Sequence, residues 1–277
     1  MCLPRNYPYI FTCIHMSRQS VSVIIPTYNR RERLAQALAS VLKQTRPVDE
    51  IVVVDDGSTD DTREMLDEFA QQHPGLPLRV IRQENRGASA ARNAGMKAAS
   101  GELIAFLDDD DVWLPQKTER QLSVFAADPQ LDLLGCASNI LGLYGGVRVA
   151  RIREWAMLFR NWFATPTVMV RRDVALSCGG FPEDLRIQED YALWLKISGK
   201  HKCAFLNEML VSCGDGKPPF GHSGLSADLD LTYVNEKKVH RQWRLDRRID
   251  PVTFTLVSMH SWVRHIRRKI IVARRRT

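Results

Sequence analysis

The stretch Glu102-Leu103-Ile104-Ala105-Phe106-Leu107-Asp108-Asp109-Asp110-Asp111 limits what this chain can fold into more than any other. After Gly101, five apolar residues read as a strand covered on both faces, and that strand stops on four consecutive carboxylates. Adjacent like charges at the end of a buried strand repel one another and are only partly hydrated. They call for a compensating cation or an exposed turn. A hard divalent ion, Mg²⁺ or Mn²⁺, held by one or two carboxylates and completed by phosphates and water, meets the need. Asp108 and Asp110 are spaced to lie on one side of an extended segment. An acidic turn leading into a helix near Pro115, with one Asp as its cap, accounts for the same residues equally well.

Strands of this kind recur upstream. Val21-Ser22-Val23-Ile24-Ile25 runs into Pro26-Thr27-Tyr28-Asn29, and a helix should follow, with Asn29 as its cap and Leu34, Ala35, Leu38, Val41 and Leu42 on one face. Ile51-Val52-Val53-Val54 runs into Asp55-Asp56-Gly57-Ser58, then an amphipathic helix with Met65, Leu66 and Phe69 inward. Leu78-Arg79-Val80-Ile81 leads through Asn85-Arg86-Gly87 into a small-residue helix, Ala88 to Ala99, whose N-terminus offers free N–H groups. Alternating strands and helices with continuously apolar strands imply parallel pairing by right-handed crossovers. Each unit leaves its polar residues at the carboxyl end of a strand, where open α/β sheets bind ligands.

Beyond residue 112 the pattern loosens. Trp113 to Ala127 reads as a helix, residues 133–150 as mixed strand and turn, Thr165 to Val170 as a strand, and Gly179-Gly180-Phe181-Pro182 as a tight turn. Gln188-Glu189-Asp190-Tyr191-Ala192-Leu193-Trp194-Leu195-Lys196 opens a helix with an acidic first turn. Residues 218–222 read as an irregular loop, and residues 229–245 and 252–273 as helices.

Charge separates the two ends of the chain. Residues 236–277 hold thirteen Lys or Arg against three Asp or Glu, a net +10, so with +7 overall, residues 1–235 carry −3. A basic tail on a slightly acidic body raises nucleic acid or anionic membrane as partners. Trp262, Val263, Ile266, Ile270 and Ile271 beside Arg264, Arg267, Arg268 and Lys269 suit an anionic membrane surface, and equally a core-packed helix with a solvated charged face. Six cysteines without C-x-x-C spacing read as buried thiols in a reducing compartment. No run is long enough for a membrane span. Residues 1–19 are expected to be a disordered leader, with Met16 a candidate start. A cytoplasmic protein is expected, peripheral at the inner face of the cell membrane where the tail takes its membrane-surface reading.

The motifs Val21 to Arg30, Val54-Asp55-Asp56-Gly57-Ser58-Thr59-Asp60, Ala91-Arg92-Asn93, Phe106 to Asp111, and Gly179-Gly180-Phe181 with Glu189 to Leu195 together resemble the family 2 inverting glycosyltransferases of the GT-A fold. The resemblance covers about residues 20–213. It implies a GT-A (Rossmann-like), mostly parallel sheet flanked by helices, with residues 214–277 as a helical basic C-terminal extension. Carried over, Pro26, Thr27 and Tyr28 would line the base pocket, with Tyr28 against the nucleobase. Taken without the family, Tyr28 is a turn aromatic covering the sheet edge.

The resemblance also implies that Asp56 accepts a hydrogen bond from the base while Asp55 supports the turn, although an Asx turn capping the next helix is the local reading of Asp56. Arg86 and Arg92 become diphosphate candidates, against pairing of Arg92 with a nearby carboxylate. Asp110 becomes the metal ligand, with Asp108 also a candidate, and Asp108 or Asp109 would reach the ribose. Asp190 becomes the base that takes the acceptor hydroxyl proton. Trp194 is expected in the core.

The expected function is therefore a Mn²⁺- or Mg²⁺-dependent inverting transfer of a sugar from a UDP-, dTDP- or GDP-linked donor to a hydroxyl of a glycan or lipid-linked acceptor in bacterial polysaccharide assembly. A non-catalytic nucleotide or nucleic-acid binder using the arginine tail is the rival, and a nucleotidyltransferase lacks its Gly-rich basic loop. The chain departs from the family at Val211-Ser212-Cys213-Gly214-Asp215, where relatives carry a Tyr and an Arg-x-His segment. His222 is a weak counterpart, and the third metal ligand stays unassigned.

Overall fold

A computed structural model of the chain describes residues 19–142, 147–214, 220–221 and 227–276. The expected leader through residue 18, Met16, His222 and most of the 218–222 loop lie outside the described residues. The first half is three β–α units and a strand: β1 (Val21–Thr27), α1 (Arg31–Leu42), β2 (Glu50–Asp55), α2 (Thr62–Gln72), β3 (Leu78–Arg82), α3 (Ala88–Ala98) and β4 (Leu103–Phe106). The order β3-β2-β1-β4 is parallel throughout, as the alternating pattern requires. In the strands, Ile24, Val52 and Val54 turn to one face while Val21, Val23, Ile25, Ile51 and Val53 turn to the other. Both faces are covered, which is why the runs are continuously apolar.

The second half extends the same sheet. It holds β5 (Val112–Trp113), α4 (Lys117–Ala127), β6 (Leu133–Ser138), β7 (Val149–Ile152), α5 (Glu154–Phe159), β8 (Met169–Arg171), α6 (Arg172–Ser177), α7 (Glu189–Ser198) and β9 (Cys203–Ser212). β8 joins antiparallel between β4 and β6, β6 and β9 pair parallel, and β5 and β7 pair antiparallel with β9. Parallel pairing thus dominates the first half, and the second is mixed. Two helices, α8 (Leu229–Leu245) and α9 (Pro251–Arg276), follow.

Several local expectations are corrected. Asn29 does not cap α1: its φ is +52°, Arg30 takes the cap position, and the Asn29 carboxamide instead accepts hydrogen bonds from the Thr59 and Asp60 backbone N–H groups. Leu42 is exposed, because the buried face of α1 ends at Val41. The helix expected from Trp113 begins at Lys117, since Val112 and Trp113 pair with Ser212 and Val211 as β5. The strand expected from Thr165 begins at Met169, after a 3-10 turn at Thr165–Thr167 whose Pro166 cannot donate to a ladder. Trp194 lies in the core against Phe106 and Phe181, as expected.

Small residues let α3 lie close against β1 and β2. A Cβ added at Gly95 would stand 2.5 Å from Ile24 Cγ2. Gly95→Ala should therefore destabilise the fold by about 1–3 kcal/mol despite alanine's better helix propensity. Urea unfolding checks this, and an unchanged or raised midpoint would show that α3 has room to spare.

Candidate functional site

The carboxyl ends of β1, β2 and β4 and the N-terminus of α7 open on a cleft of about 880 Å³. Its floor is tied together by the turns themselves. The Ser58 hydroxyl accepts from the Asn29 backbone N–H at 3.0 Å, and Asp55 accepts from the Ser58 N–H at 2.8 Å, supporting the turn as expected. Asp56 is buried and accepts from the Gln83 side chain at 2.7 Å and from the Arg86 and Gly87 N–H groups at 3.0 and 2.7 Å. It thus holds the entry to α3 from the end of β2, a long-range contact and not the expected Asx cap on the next helix, α2. It also lines the cleft beside Pro26, Thr27 and Tyr28, with Tyr28 44% exposed.

The two arginines expected at the diphosphate part company. Arg86 turns to Glu183, 2.8 Å away, and is not among the cleft-lining residues. Arg92 is buried in the cleft wall, with Nη2 2.6 Å from Asp108 and Nη1 3.0 Å from Glu189. Burial works against its charge, but the Asp108 and Glu189 carboxylates outweigh it and hold the guanidinium protonated. The pairing reading of Arg92 is therefore the one the geometry fits.

Asp108, Asp109, Asp110 and Asp111 all line the cleft. Asp109 accepts from the Thr27 hydroxyl at 2.8 Å and from Arg30 at 2.9 Å. Asp110, a third exposed at its side chain, stands 3.0 Å from Arg30 and 3.4 Å from Arg33. Burial pushes Asp109 up to about 6, against the pull of Arg30. It pushes Asp111 up to about 8, helped by the Asp108 and Asp110 charges, although the Gly214 N–H donates to it at 2.8 Å. The cluster is thus short of positive charge. Hard oxygen donors crowded beyond what their arginines offset fit Mg²⁺ or Mn²⁺, and Asp110 with Asp108 would hold it. Among the described residues no three His, Cys, Asp or Glu side chains are already gathered around a metal position. An ion carried mainly by substrate phosphates needs only one or two carboxylates.

Asp190, half-buried in the first turn of α7, lines the same cleft. It accepts from the Asn161 side chain at 3.2 Å and from the Tyr191 N–H at 2.6 Å. Burial first, then the neighbouring Glu189 charge, raises its carboxyl to about 7. The Gly179-Gly180-Phe181 turn is held to α3 by Asn93, which donates to the Phe181 carbonyl oxygen and accepts from the Phe181 N–H, both at 2.8 Å. The Ala91-Arg92-Asn93 and Gly179-Gly180-Phe181 motifs are thus one contact.

Sequence reasoning missed Arg30, Arg33, Asn161 and Arg268. The first two sit one turn apart at the start of α1 and could have been read as partners for the acidic run. Asn161 and Arg268 carry no local signal, because loop and tail reach the cleft only through the fold.

A parallel β/α half whose strands end in polar turns and an acidic run, joined through one sheet to a mixed half, is the GT-A architecture. Residues 22–166 match the model of Glycosyl transferase family 2. The chain belongs to that family. It is 30% identical over 239 residues to the UDP-Glc:alpha-D-GlcNAc-diphosphoundecaprenol beta-1,3-glucosyltransferase WfgD of Escherichia coli, spanning 80% of this chain and 83% of that protein.

Among solved structures it is similar to S. aureus TarS 1-349 in complex with UDP-GlcNAc, with TM-score 0.66 and 22% identity over 89% of this chain and 72% of that one. It is likewise similar to the mannosyltransferase PcManGT of Pyrobaculum calidifontis in complex with GDP-Man and Mn2+, with TM-score 0.64 and 22% identity over 88% of this chain and 69% of that one. The chain spans 36% of the length of several other curated relatives it matches.

The raised carboxyl of Asp111 makes stability depend on pH in a fixed direction. In the unfolded chain Asp111 ionises near its ordinary value of about 4. In the fold it ionises near 8, so its contribution is full below about pH 4 and is lost as pH rises through 8. Asp111→Asn should therefore lose stability relative to wild type at pH 5 but gain on it at pH 9. Thermal midpoints across that range check this, and a constant difference would show that Asp111 ionises normally.

Proposed function

We propose that this protein is a metal-dependent inverting glycosyltransferase, moving a sugar from a nucleotide-diphosphate donor to a hydroxyl of a glycan or lipid-linked glycan. The observation that carries the reading is that two acidic groups from different elements line one cleft: the crowded Asp108–Asp111 run after β4 and the half-buried Asp190 in the first turn of α7, whose carboxyl is raised to about 7. The first suits a diphosphate with its cation. The second suits an acceptor hydroxyl.

In this reading Pro26, Thr27 and Tyr28 cover the nucleobase, Asp55 and Asp56 shape its recess, and Asp108 or Asp109 meets the ribose. Asp110, with Asp108, holds Mn²⁺ or Mg²⁺, which when bound offsets charge building on the leaving nucleotide without a proton donor. Asp190 removes the acceptor hydroxyl proton as that oxygen attacks the anomeric carbon from the face opposite the nucleotide, so configuration inverts. A carboxyl that ionises near 7 is well matched to a base working at neutral pH. Arg92 acts beside these groups, bridging Asp108 and Glu189 and offsetting their charge. Domain limits of 20–213 for the transferase and 214–277 for its extension belong to the same proposal.

Similar proteins support the substrate classes. WfgD is named for a UDP-Glc donor and a diphosphoundecaprenol-linked acceptor, and the two solved neighbours hold UDP-GlcNAc and GDP-Man. Among the described residues no helix is long and apolar enough to cross a membrane. We propose action in the cytoplasm in peripheral contact with the membrane's inner face, in polysaccharide assembly. The rival nucleic-acid reading has less support, because Arg264 and Arg275 of the tail turn to Glu236 and Phe220 within the protein.

Asp190→Asn should leave donor binding intact and lower kcat about 10²–10⁴-fold. The wild-type rate should rise as pH increases through about 7, where the Asp190 carboxyl becomes a carboxylate. A fully active variant would move the base elsewhere. Asp110→Ala should abolish Mn²⁺-dependent nucleotide binding in a thermal-shift panel of UDP, dTDP and GDP sugars while the fold persists. Metal-dependent shifts that survive the change would remove Asp110 from the site.

A further inference from the structure

α9 is a helix with two different faces. Inward, Val257, Ser261 and His265 are buried, and Arg264 pairs with Glu236 and donates to the Phe159 carbonyl oxygen. Outward, Val252, Leu256, Met259, Val263, Ile266 and Ile270 follow one another at alternating steps of four and three residues, all exposed, with exposed Trp262 beside them. That stripe runs for about 27 Å at the rise of an α-helix. A continuous apolar surface of this length on a water-exposed helix marks a contact.

The charges beside the stripe select what it contacts. From Pro251 to Arg276 the helix contains no Asp or Glu. The positions flanking the stripe hold His260, Arg267, Lys269 and Arg274, and Lys269 is already paired with Asp230 at 2.7 Å. The neighbouring α8, held through Asp230 to Lys269 and Glu236 to Arg264, exposes Lys237, Lys238 and Arg241. The four-three spacing would also suit a two-stranded coiled coil, but a second copy would set the cations of α9 against their own kind with no carboxylate on either copy of α9 to answer them. An acyl surface bordered by phosphates offers both what the stripe lacks and what its border attracts.

We propose that the outward face of α9 docks on an anionic lipid bilayer. The apolar residues from Val252 to Ile270 sink into the acyl boundary, and Arg267 and Arg274 meet lipid phosphates. The same helix lines the cleft with Arg268, whose guanidinium lies 5.5 Å from the centre of the Phe220 ring, so docking holds the cleft at the lipid surface. That consequence rests on the transferase reading with a lipid-linked acceptor. The docking surface itself does not.

The test is sedimentation of the full chain with phosphatidylcholine vesicles, with and without one third phosphatidylglycerol. Binding should require phosphatidylglycerol and weaken as salt rises. Val263→Glu and Ile266→Glu, both on the exposed face, should each weaken it at least about tenfold. Paired Arg267→Gln and Arg274→Gln changes should weaken it too, with circular dichroism and hydrolysis of a nucleotide sugar in solution unchanged. Equal binding to neutral vesicles, or full binding by the glutamate variants, would overturn the proposal. So would a dimer by light scattering that Val263→Glu dissociates, because the stripe would then be an interface between copies. Vesicle binding by a wild-type chain that turns over no donor would support the surface while removing the transferase reading.

Discussion

Arg92 is the contact on which the arrangement of the cleft depends. Its guanidinium bridges Asp108, at the end of a parallel strand, to Glu189, at the start of a helix from the other half of the molecule, and it is buried between them. Without that cation, Asp108, Glu189 and Asp190 would be three carboxylates meeting in a poorly hydrated space. A buried pair of this kind adds little net stability, since desolvation offsets most of the attraction. What it fixes is position. The Asn93 side chain beside it clamps both backbone polar groups of Phe181, so one turn of α3 ties both Glu189 and the Gly179–Phe181 turn to the parallel half.

The rest of the cleft follows from unequal compensation of charge. Asp109 is answered by Arg30 and Thr27, and Asp108 by Arg92. Among the described residues Asp111 is answered by a backbone N–H, and Asp110 faces arginines whose side chains remain partly in water. The carboxyls that burial leaves least satisfied are pushed towards the neutral form, a cost that a ligand cation removes. Asp190 is different. Its neighbour is another carboxylate, its hydrogen bonds come from a carboxamide and a backbone N–H, and its tendency to hold a proton near neutrality is what base chemistry needs. In the proposed reaction, two acidic groups built from similar residues thereby take separate tasks.

Much of this was legible in the chain itself. The strands β1, β2 and β4, their helices and the polar turns that follow them are local patterns: continuous apolar runs, 3.6-residue periodicity, and Asp, Gly and Asn where strands stop. The acidic run could be singled out for the same reason, whereas Asp190 stood out from an ordinary acidic helix start only through the family motifs around it. What the sequence left unread depends on parts far apart in the chain. Asn29 looked like a helix cap, yet its side chain spans to Thr59 because the first two turns lie side by side. Arg86 and Arg92 looked alike as phosphate ligands, and only their surroundings separate an arginine turned to Glu183 from one enclosed between Asp108 and Glu189.

The sequence by itself therefore determined the β/α order, the apolar strands and the identities of the acidic groups, because each rests on neighbours within a few residues. Tertiary structure alone decided which carboxylates are answered and which are left wanting a cation. It also brought Asn161 to Asp190 and Arg268 to the cleft, and turned an apolar stripe of α9 outward. Charge compensation and burial are sums over everything nearby in space, and nearness in space is what a linear order of residues does not contain.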